Sequence, residues 1–344
     1  MDTVPHALVT GGAGYIGSML AGILLERGWA VTVVDKLLFG GESLLGYRQH
    51  PRFRFTPGDV TEPDTLQPTP AGLRVGRLDP ARFDAVVHLA AIVGFPACQA
   101  VGPEVARLYN TEAVRLAFEA GEATGASRFV MASTYSNYGL SPDGRPVDET
   151  SPLNPQSLYA ETKVAAERLL LARADSSRCA PVLLRFATLF GVSPRTRFDL
   201  IVNQFVLEAL TRRRLVIYQK GYARSFVHVR DVCRAITLAL QATLEKVRGQ
   251  VFNVGGDRLN HTKDEIVELV RRHVPGTGVE VKDLSFGGDM RDIRVSFGKI
   301  RGALGFEPQV GVEEGICEVR DALADGVIRD PGGERYRNAQ FIVQ

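Results

Sequence analysis

Apolar residues in this chain follow two rhythms. Short runs that are apolar at nearly every position lie at 7–10, 30–34, 85–89, 129–132 and 181–186, and longer amphipathic stretches lie at 16–27, 105–124 and 158–174. A continuous apolar run suits a strand covered on both faces, and a rhythm of about 3.6 residues suits a helix lying on such a sheet. Their alternation predicts an α/β fold, a doubly wound parallel (Rossmann) sheet with right-handed crossovers. After about residue 185 the runs shorten and Gly and Pro become denser, which predicts a smaller C-terminal lobe. Residues 1–185 are expected to form the sheet domain, with 227–254 returning to it, beginning as a strand–turn–helix. Residues 186–226 and 255–330 are expected to form the lobe that binds substrate, and 331–344 a tail. The Pro-, Gly- and Arg-rich segment 66–83 reads as a surface loop.

The first strand runs into Thr10-Gly11-Gly12-Ala13-Gly14-Tyr15-Ile16-Gly17, which opens the first helix. The segment satisfies both GxGxxG from Gly12 and GxxGxxG from Gly11. Glycines permit a tight turn and close approach of a pyrophosphate, and the amides at Tyr15, Ile16 and Gly17 open a helix whose positive end faces phosphate. Asp35 ends the second strand, placed to accept hydrogen bonds from a ribose and to repel a 2′-phosphate. That favours NAD over NADP, and Lys36 beside it weakens the preference slightly. Asp59, in Gly58-Asp59-Val60, is placed to meet the adenine amino group.

Tyr159 and Lys163 stand four residues apart, on one face of a helix. An ammonium there stabilises phenolate and suits the tyrosine to exchange a proton with a hydroxyl near neutral pH. Ser133 and Thr134 end the strand at 129–132, at the carboxyl edge where such sheets bind ligands.

Composition narrows the field. Lys plus Arg number 41 and Asp plus Glu 39, a net charge of +2 with no basic stripe, which argues against nucleic-acid binding. Arg212-Arg213-Arg214 reads as a solvated helix end. Cys98, Cys179, Cys233 and Cys317 are scattered, so neither a metal site nor a disulfide framework is expected, and a reducing cytoplasmic setting is. No leader-like segment precedes the first strand, and no apolar run reaches the ~18 residues of a membrane span. His88, His228 and Trp29 lie in apolar contexts and read as packing residues.

The chain resembles the extended short-chain dehydrogenase/reductase family, in its branch of NAD-dependent nucleotide-sugar epimerases and dehydratases. The resemblance is carried by residues 10–17, Asp35, Gly58-Asp59-Val60, His88-Leu89-Ala90-Ala91, Asn110, residues 133–139, Tyr159 with Lys163, residues 224–232, and 289–306 ending in Leu304-Gly305-Phe306. It implies that Tyr159 is the base, that Lys163 holds the nicotinamide ribose, and that Thr134, with Ser133 as the alternative register, bonds the reacting oxygen. Val60, Leu89, Ala90, Ala91 and Asn110 fall among its cofactor-site positions, Asn110 as a structural residue or the holder of a water. Arg224, with Arg291 or Arg294, would meet the diphosphate or nucleotide. The resemblance further implies a homodimer formed through the helices at 105–124 and 158–174.

Two departures bear on the reaction. The family's 4,6-dehydratases carry Asp-Glu after the threonine, where this chain has Tyr135-Ser136, so elimination would lack its usual acid and base. Thr188 stands where epimerases often carry asparagine. The polar stretch beyond it offers Arg195 or Arg197 to sugar or diphosphate and Asn203 to the nucleotide. The expected function is NAD-dependent epimerisation of a nucleotide-diphosphate sugar through a transient keto sugar at C4. The alternatives are a keto-sugar reductase or other keto-sugar chemistry, and last a non-catalytic nucleotide sensor.

Overall fold

The structure is a computed structural model and describes residues 4–141, 145–218, 221–282 and 293–338. Its centre is a sheet of seven strands: β1 (His6–Thr10), β2 (Ala30–Asp35), β3 (Phe53–Pro57), β6 (Ala85–His88), β7 (Arg128–Thr134), β8 (Ala180–Phe186) and β12 (Gln250–Val254). Every pairing in it is parallel, in the spatial order β3-β2-β1-β6-β7-β8-β12. The chain winds outward from β1 to β3, then restarts at β6 beside β1. The gap above β1 and β6 is therefore the topological switch point, where ligands bind in this fold.

Both faces of the sheet are covered. Helix α1 (Tyr15–Glu26) and helix α6 (Val229–Gln241) bury one face around Val9, Val33, Val87 and Leu184. On the other face, α3 (Ala113–Thr124) and α4 (Leu158–Leu171) pack on Leu8, Val86, Phe129 and Leu183. A third core, around Phe198, Val206, Phe226, Ile266 and Ile316, joins α5 (Ile201–Arg212), α8 (Lys263–His273) and α10 (Val312–Ala324). The short helices α7 (Leu244–Val247) and α9 (Gly298–Leu304) fill connections.

Three readings need correction. Segment 66–83 is not a plain surface loop: it holds a hairpin of β4 (Leu66–Thr69) and β5 (Gly72–Val75), with Leu73, Val75 and Phe83 buried beneath α3. The helix expected to start at 105 starts at Phe95. This α2 (Phe95–Arg107) is interrupted at Gly102, which has φ +80° ahead of Pro103, and continues through a π-turn at Leu108–Glu112 into α3. The strand of the 227–244 unit does not return to the central sheet. β11 (Ala223–His228) pairs instead with β9 (Thr188–Phe190) and β13 (Asn260–Thr262), and the seventh central strand is β12. A further parallel pair joins β10 (Arg214–Tyr218) to β14 (Gly278–Lys282). Among the described residues, no helix is long and apolar enough to cross a membrane.

Candidate functional site

The switch point opens into a cavity of about 830 Å³. On the glycine-loop side its wall includes Gly11, Gly14, Tyr15, Ile16 and Gly17. Gly12 does not reach it; a Cβ there would strike Val33 at 2.5 Å, so the GxxGxxG reading from Gly11 describes the loop. Gly11 has φ +72°, and a Cβ on it would lie 2.6 Å from the Ala90 amide nitrogen. A Cβ on Gly17 would lie 2.4 Å from the Gly11 carbonyl. Side chains at these positions would push apart the first turn of α1 and the β6 edge, so the loop keeps the space a pyrophosphate needs. Gly14 caps α1 without a side chain, which leaves the first amides of the helix directed at the cavity.

Asp35 receives hydrogen bonds from the Ala13 amide at 2.9 Å and the Leu37 amide at 2.8 Å. Burial raises its pKa above the ordinary carboxylate value, against those two bonds and the charge of Arg195. Asp59 receives hydrogen bonds from the Lys36 ammonium at 2.8 Å and the Tyr109 hydroxyl at 2.5 Å, and Thr61 adds two more. Burial opposes its charge, but these partners outweigh burial and hold its pKa at about 2. Val60, Leu89, Ala90 and Ala91 line the same region. The donor and acceptor set fits a dinucleotide: glycine amides for phosphates, Asp35 for a ribose, and apolar walls around it.

Helix α4 begins at Ser157, whose hydroxyl accepts the Ala160 amide. That cap sets Tyr159 in the first turn and Lys163 one turn later on the same face. Lys163 is buried and donates to the Ala132 carbonyl at 3.0 Å, just ahead of Ser133 and Thr134. Burial pulls its pKa down to about 8, with Cys98 and Glu167 opposing. Thr134 ends β7; its hydroxyl accepts the Ser136 amide and donates to the Ser136 hydroxyl, both at 3.1 Å. Tyr159, Lys163, Thr134 and Tyr135 all line the cavity. Ser133 also borders it, but its hydroxyl donates to Glu167 at 2.5 Å within a buried network of Asn137, Glu167 and Arg185, of which Thr134 is not part.

On the lobe side, Thr188, Arg195, Arg197 and Arg224 line the cavity. The Tyr135 and Thr188 hydroxyls are 2.8 Å apart. Arg197 grips Asp199 through two hydrogen bonds, at 2.7 and 3.0 Å. Two expected contact residues do not reach the wall. Asn110 sits in the π-turn and binds the Ile92 amide and carbonyl and the Thr162 hydroxyl, tying the loop after β6 to α4. Asn203 is fully buried and brackets Gly191, receiving its amide at 2.9 Å and donating to its carbonyl and that of Arg197. Their amide groups satisfy backbone turned inward, which is why neither is available to a ligand. Tyr15 reaches the same Gly191 carbonyl at 2.8 Å and so links the glycine loop to the lobe. Arg291 lies outside the described residues.

Sequence reasoning missed Phe39, Tyr109, Asp199, Lys263 and Asn338, all on the cavity wall. Tyr109 adjoins a residue that was singled out, but Asn338 comes from the tail and had no motif to flag it. His88 bonds Thr10 at 2.9 Å and His228 bonds Glu318 at 2.7 Å, so both hold elements together. The four cysteines are free thiols.

A family model described as the NAD dependent epimerase/dehydratase family matches residues 7–255. The chain is 33% identical over 326 residues to a dTDP-glucose 4,6-dehydratase of an Actinoplanes species, covering 90% of this chain and 95% of that one. It is 27% identical to a UDP-glucose 4-epimerase of Corynebacterium glutamicum, over 88% of this chain and 90% of that one. The solved structure of DesIV, a dTDP-glucose 4,6-dehydratase of Streptomyces venezuelae with NAD bound, superposes with a TM-score of 0.79 at 27% identity, over 95% of this chain and 99% of that one. A glycine loop, Asp35 at the end of β2 and a Tyr–Lys helix gathered on one cavity agree with these matches: the chain belongs to the NAD dependent epimerase/dehydratase family and takes NAD as its cofactor.

Proposed function

We propose that this enzyme inverts a carbinol centre, C4, of a nucleotide-diphosphate sugar through a transient ketone. The observation that carries this reading is the state of the cavity's carboxylates. Among the described residues, those on its wall are Asp35, Asp59 and Asp199. Asp35 and Asp59 stand at the cofactor end, and Asp199 is held by Arg197. The two positions after Thr134 are Tyr135 and Ser136, and Ser136 is not on the wall. Removing a ring proton and expelling a hydroxyl both call for a positioned acid and base, and this wall offers no spare carboxylate for either.

NAD would be held by the glycine-loop amides, Asp35 and Lys163, and when bound it supplies reversible hydride uptake. Tyr159 accepts the proton of the sugar hydroxyl as the carbon becomes a ketone, and the Lys163 ammonium stabilises the phenolate before that transfer. Thr134 turns its hydroxyl hydrogen from Ser136 to the carbonyl oxygen and stabilises the charge there. Arg224 holds the diphosphate while the keto sugar turns over, and the Tyr135–Thr188 pair faces the ring. Tyr159 then returns its proton to the opposite face's alkoxide. Oxidation and reduction of the sugar cancel within one turnover.

A second reading is loss of water with the Tyr135 phenol as acid. It is favoured by the dehydratase names of the relatives at 30% identity or more. Incubating the enzyme with UDP- and dTDP-hexoses, with no cofactor added, separates the readings by product mass. The proposal expects a product of unchanged mass and altered ring configuration. A product lighter by one water would establish the second reading instead, and turnover confined to a 4-keto sugar nucleotide with NADH or NADPH consumed would establish a reductase. Two copies are proposed to meet through the helices at 105–124 and 158–174, where Leu108 and Leu171 are exposed; light scattering from a purified sample at monomer mass would reject that.

A further inference from the structure

The loop between β9 and α5 carries two arginines in different states. Arg197 has its charge met by Asp199. Arg195 is only 6% exposed, yet among the described residues just one of its guanidinium nitrogens has a hydrogen-bond partner, the Asn338 side-chain oxygen at 2.6 Å from Nη1. Its Nε and Nη2 are buried with no hydrogen-bond partner among the described residues. The guanidinium lies 3.9 Å from the centroid of the Phe39 ring. The charges facing it are Arg197, Asp199 and Asp35. Burial and then Arg197 pull its pKa down to about 9, with Asp199 and Asp35 opposing. A buried cation with idle donors and a second cation beside it is costly unless an anion completes it.

Its surroundings indicate which anion. Phe39 and Asp35 both follow from β2, and Asp35 bonds the glycine loop, at the end of the cavity where the adenosine half of a dinucleotide lies in this fold. Thr134 and Tyr159 come from β7 and α4, on the other side of the switch point. Arg195 is held in place by the C-terminal segment. The Tyr336 carbonyl accepts the Phe198 amide at 2.8 Å, and the two rings meet edge-on with centroids 5.7 Å apart. The Asn338 amide donates to Asp199 at 3.3 Å, and Asn338 itself lines the cavity. Residues 336–338 thus run along the loop as a strap.

We propose that Arg195, stacked on Phe39 and fixed by Asn338, binds a phosphate oxygen of the dinucleotide, so that the strap retains NAD between turnovers. The anion is a pyrophosphate, and its source is the cofactor rather than the sugar nucleotide. The inference rests on the use of NAD and not on the reaction proposed above, so it stands or falls separately from epimerisation.

The test uses the full chain and the variants Arg195→Gln, Arg195→Lys and Asn338→Ala, each checked for folding by circular dichroism. Protein loaded with NADH is chased with excess NAD, and loss of bound-NADH fluorescence gives the release rate. UDP and dTDP are titrated onto the NAD-loaded proteins in parallel. Arg195→Gln is expected to release NADH about tenfold faster, the effect of one lost charge-assisted hydrogen bond. Asn338→Ala, which keeps the guanidinium but frees it, is expected to fall between parent and Arg195→Gln, with UDP and dTDP affinities unchanged. If Arg195→Gln does not fold, Arg195→Lys and Asn338→Ala carry the test with the same expected direction. Parental release rates in the folded variants would overturn the proposal. So would weakened UDP or dTDP binding with parental NADH release, which would give the guanidinium to the sugar nucleotide.

Discussion

In the proposed mechanism the chemistry turns on Lys163. It sits beneath Ala132 with its pKa drawn down to about 8 by burial, so it is charged at neutral pH and loses its charge within the range an assay can reach. A phenolate at Tyr159 depends on that ammonium. Activity is therefore expected to fall as pH rises through about 8. Lys163→Arg, whose charge does not titrate, should lose that alkaline limb even if its rate is lower. A limb unchanged in Lys163→Arg would place the titration elsewhere. Tyr159→Phe is expected to reduce turnover by ~10²–10⁴-fold, the usual worth of a positioned acid–base group, while the protein still copurifies with NAD. Near-parental turnover would show that another group moves the proton. A short spacing and a strand end drew attention to Tyr159, Lys163 and Thr134 in the sequence, and all three line one cavity. The sequence could not show that Asn203 turns inward to backbone, since a buried amide and a ligand-binding amide read alike in one dimension, and it left Asn110 open between a structural residue and the holder of a water. Nor could it bring Asn338 to Arg195, 143 positions away.

The elements that carry these residues are locked by a buried polar network. Glu167, one turn beyond Lys163 on α4, accepts from Ser133 and Asn137 of the β7 end and pairs with Arg185 of β8 at 2.6 Å. Burial disfavours the Arg185 charge, but Glu167 and Tyr138 outweigh it and hold the guanidinium protonated. Glu167→Ala leaves that cation buried alone and is expected to cost ~3–5 kcal/mol in urea unfolding. Pairing Glu167→Leu with Arg185→Met should recover much of the loss; equal loss in the pair would mean that packing, not charge, is at stake. The β1–β6 seam carries a pH signature. His88 is buried with its pKa lowered from 6.5 to about 3, by burial first and the Lys163 charge second. The folded chain thus keeps His88 neutral while the unfolded chain protonates it. Its contribution is whole above about pH 6.5 and is lost as pH falls toward 3, by about 1.4 kcal/mol per pH unit. His88→Gln should flatten stability over that window; the same slope in parent and variant would assign the acid sensitivity to other groups. Five of the seven central strands were legible because each is apolar at nearly every position; β3 and β12 were not, since Arg54 and Thr56 interrupt the one and Gln250 and Asn253 the other. The hairpin at 66–75 was not, because Pro68, Pro70, Gly72 and Gly76 interrupt strands of four residues. The early start of α2 was hidden by Gly102 and Pro103.

For the molecule as a whole, the parallel winding decides where everything else can act. Reversal of strand order between β1 and β6 opens one cavity, and elements from the glycine loop, α4, β9, β11 and the C-terminal segment converge on it. The architecture follows from the alternation of short apolar runs with amphipathic stretches. The assignment of β12 rather than β11 to the sheet does not, because both are short and buried, and only pairing in three dimensions separates them. The central claim is that a sugar carbon is oxidised and reduced within one closed site. Its most direct measurement is NMR of the product formed from UDP- and dTDP-hexoses that carry deuterium at C4. Epimerisation gives inverted configuration at C4 with the deuterium still on that carbon. Deuterium replaced by solvent hydrogen, or retained configuration with a change elsewhere on the ring, would contradict it.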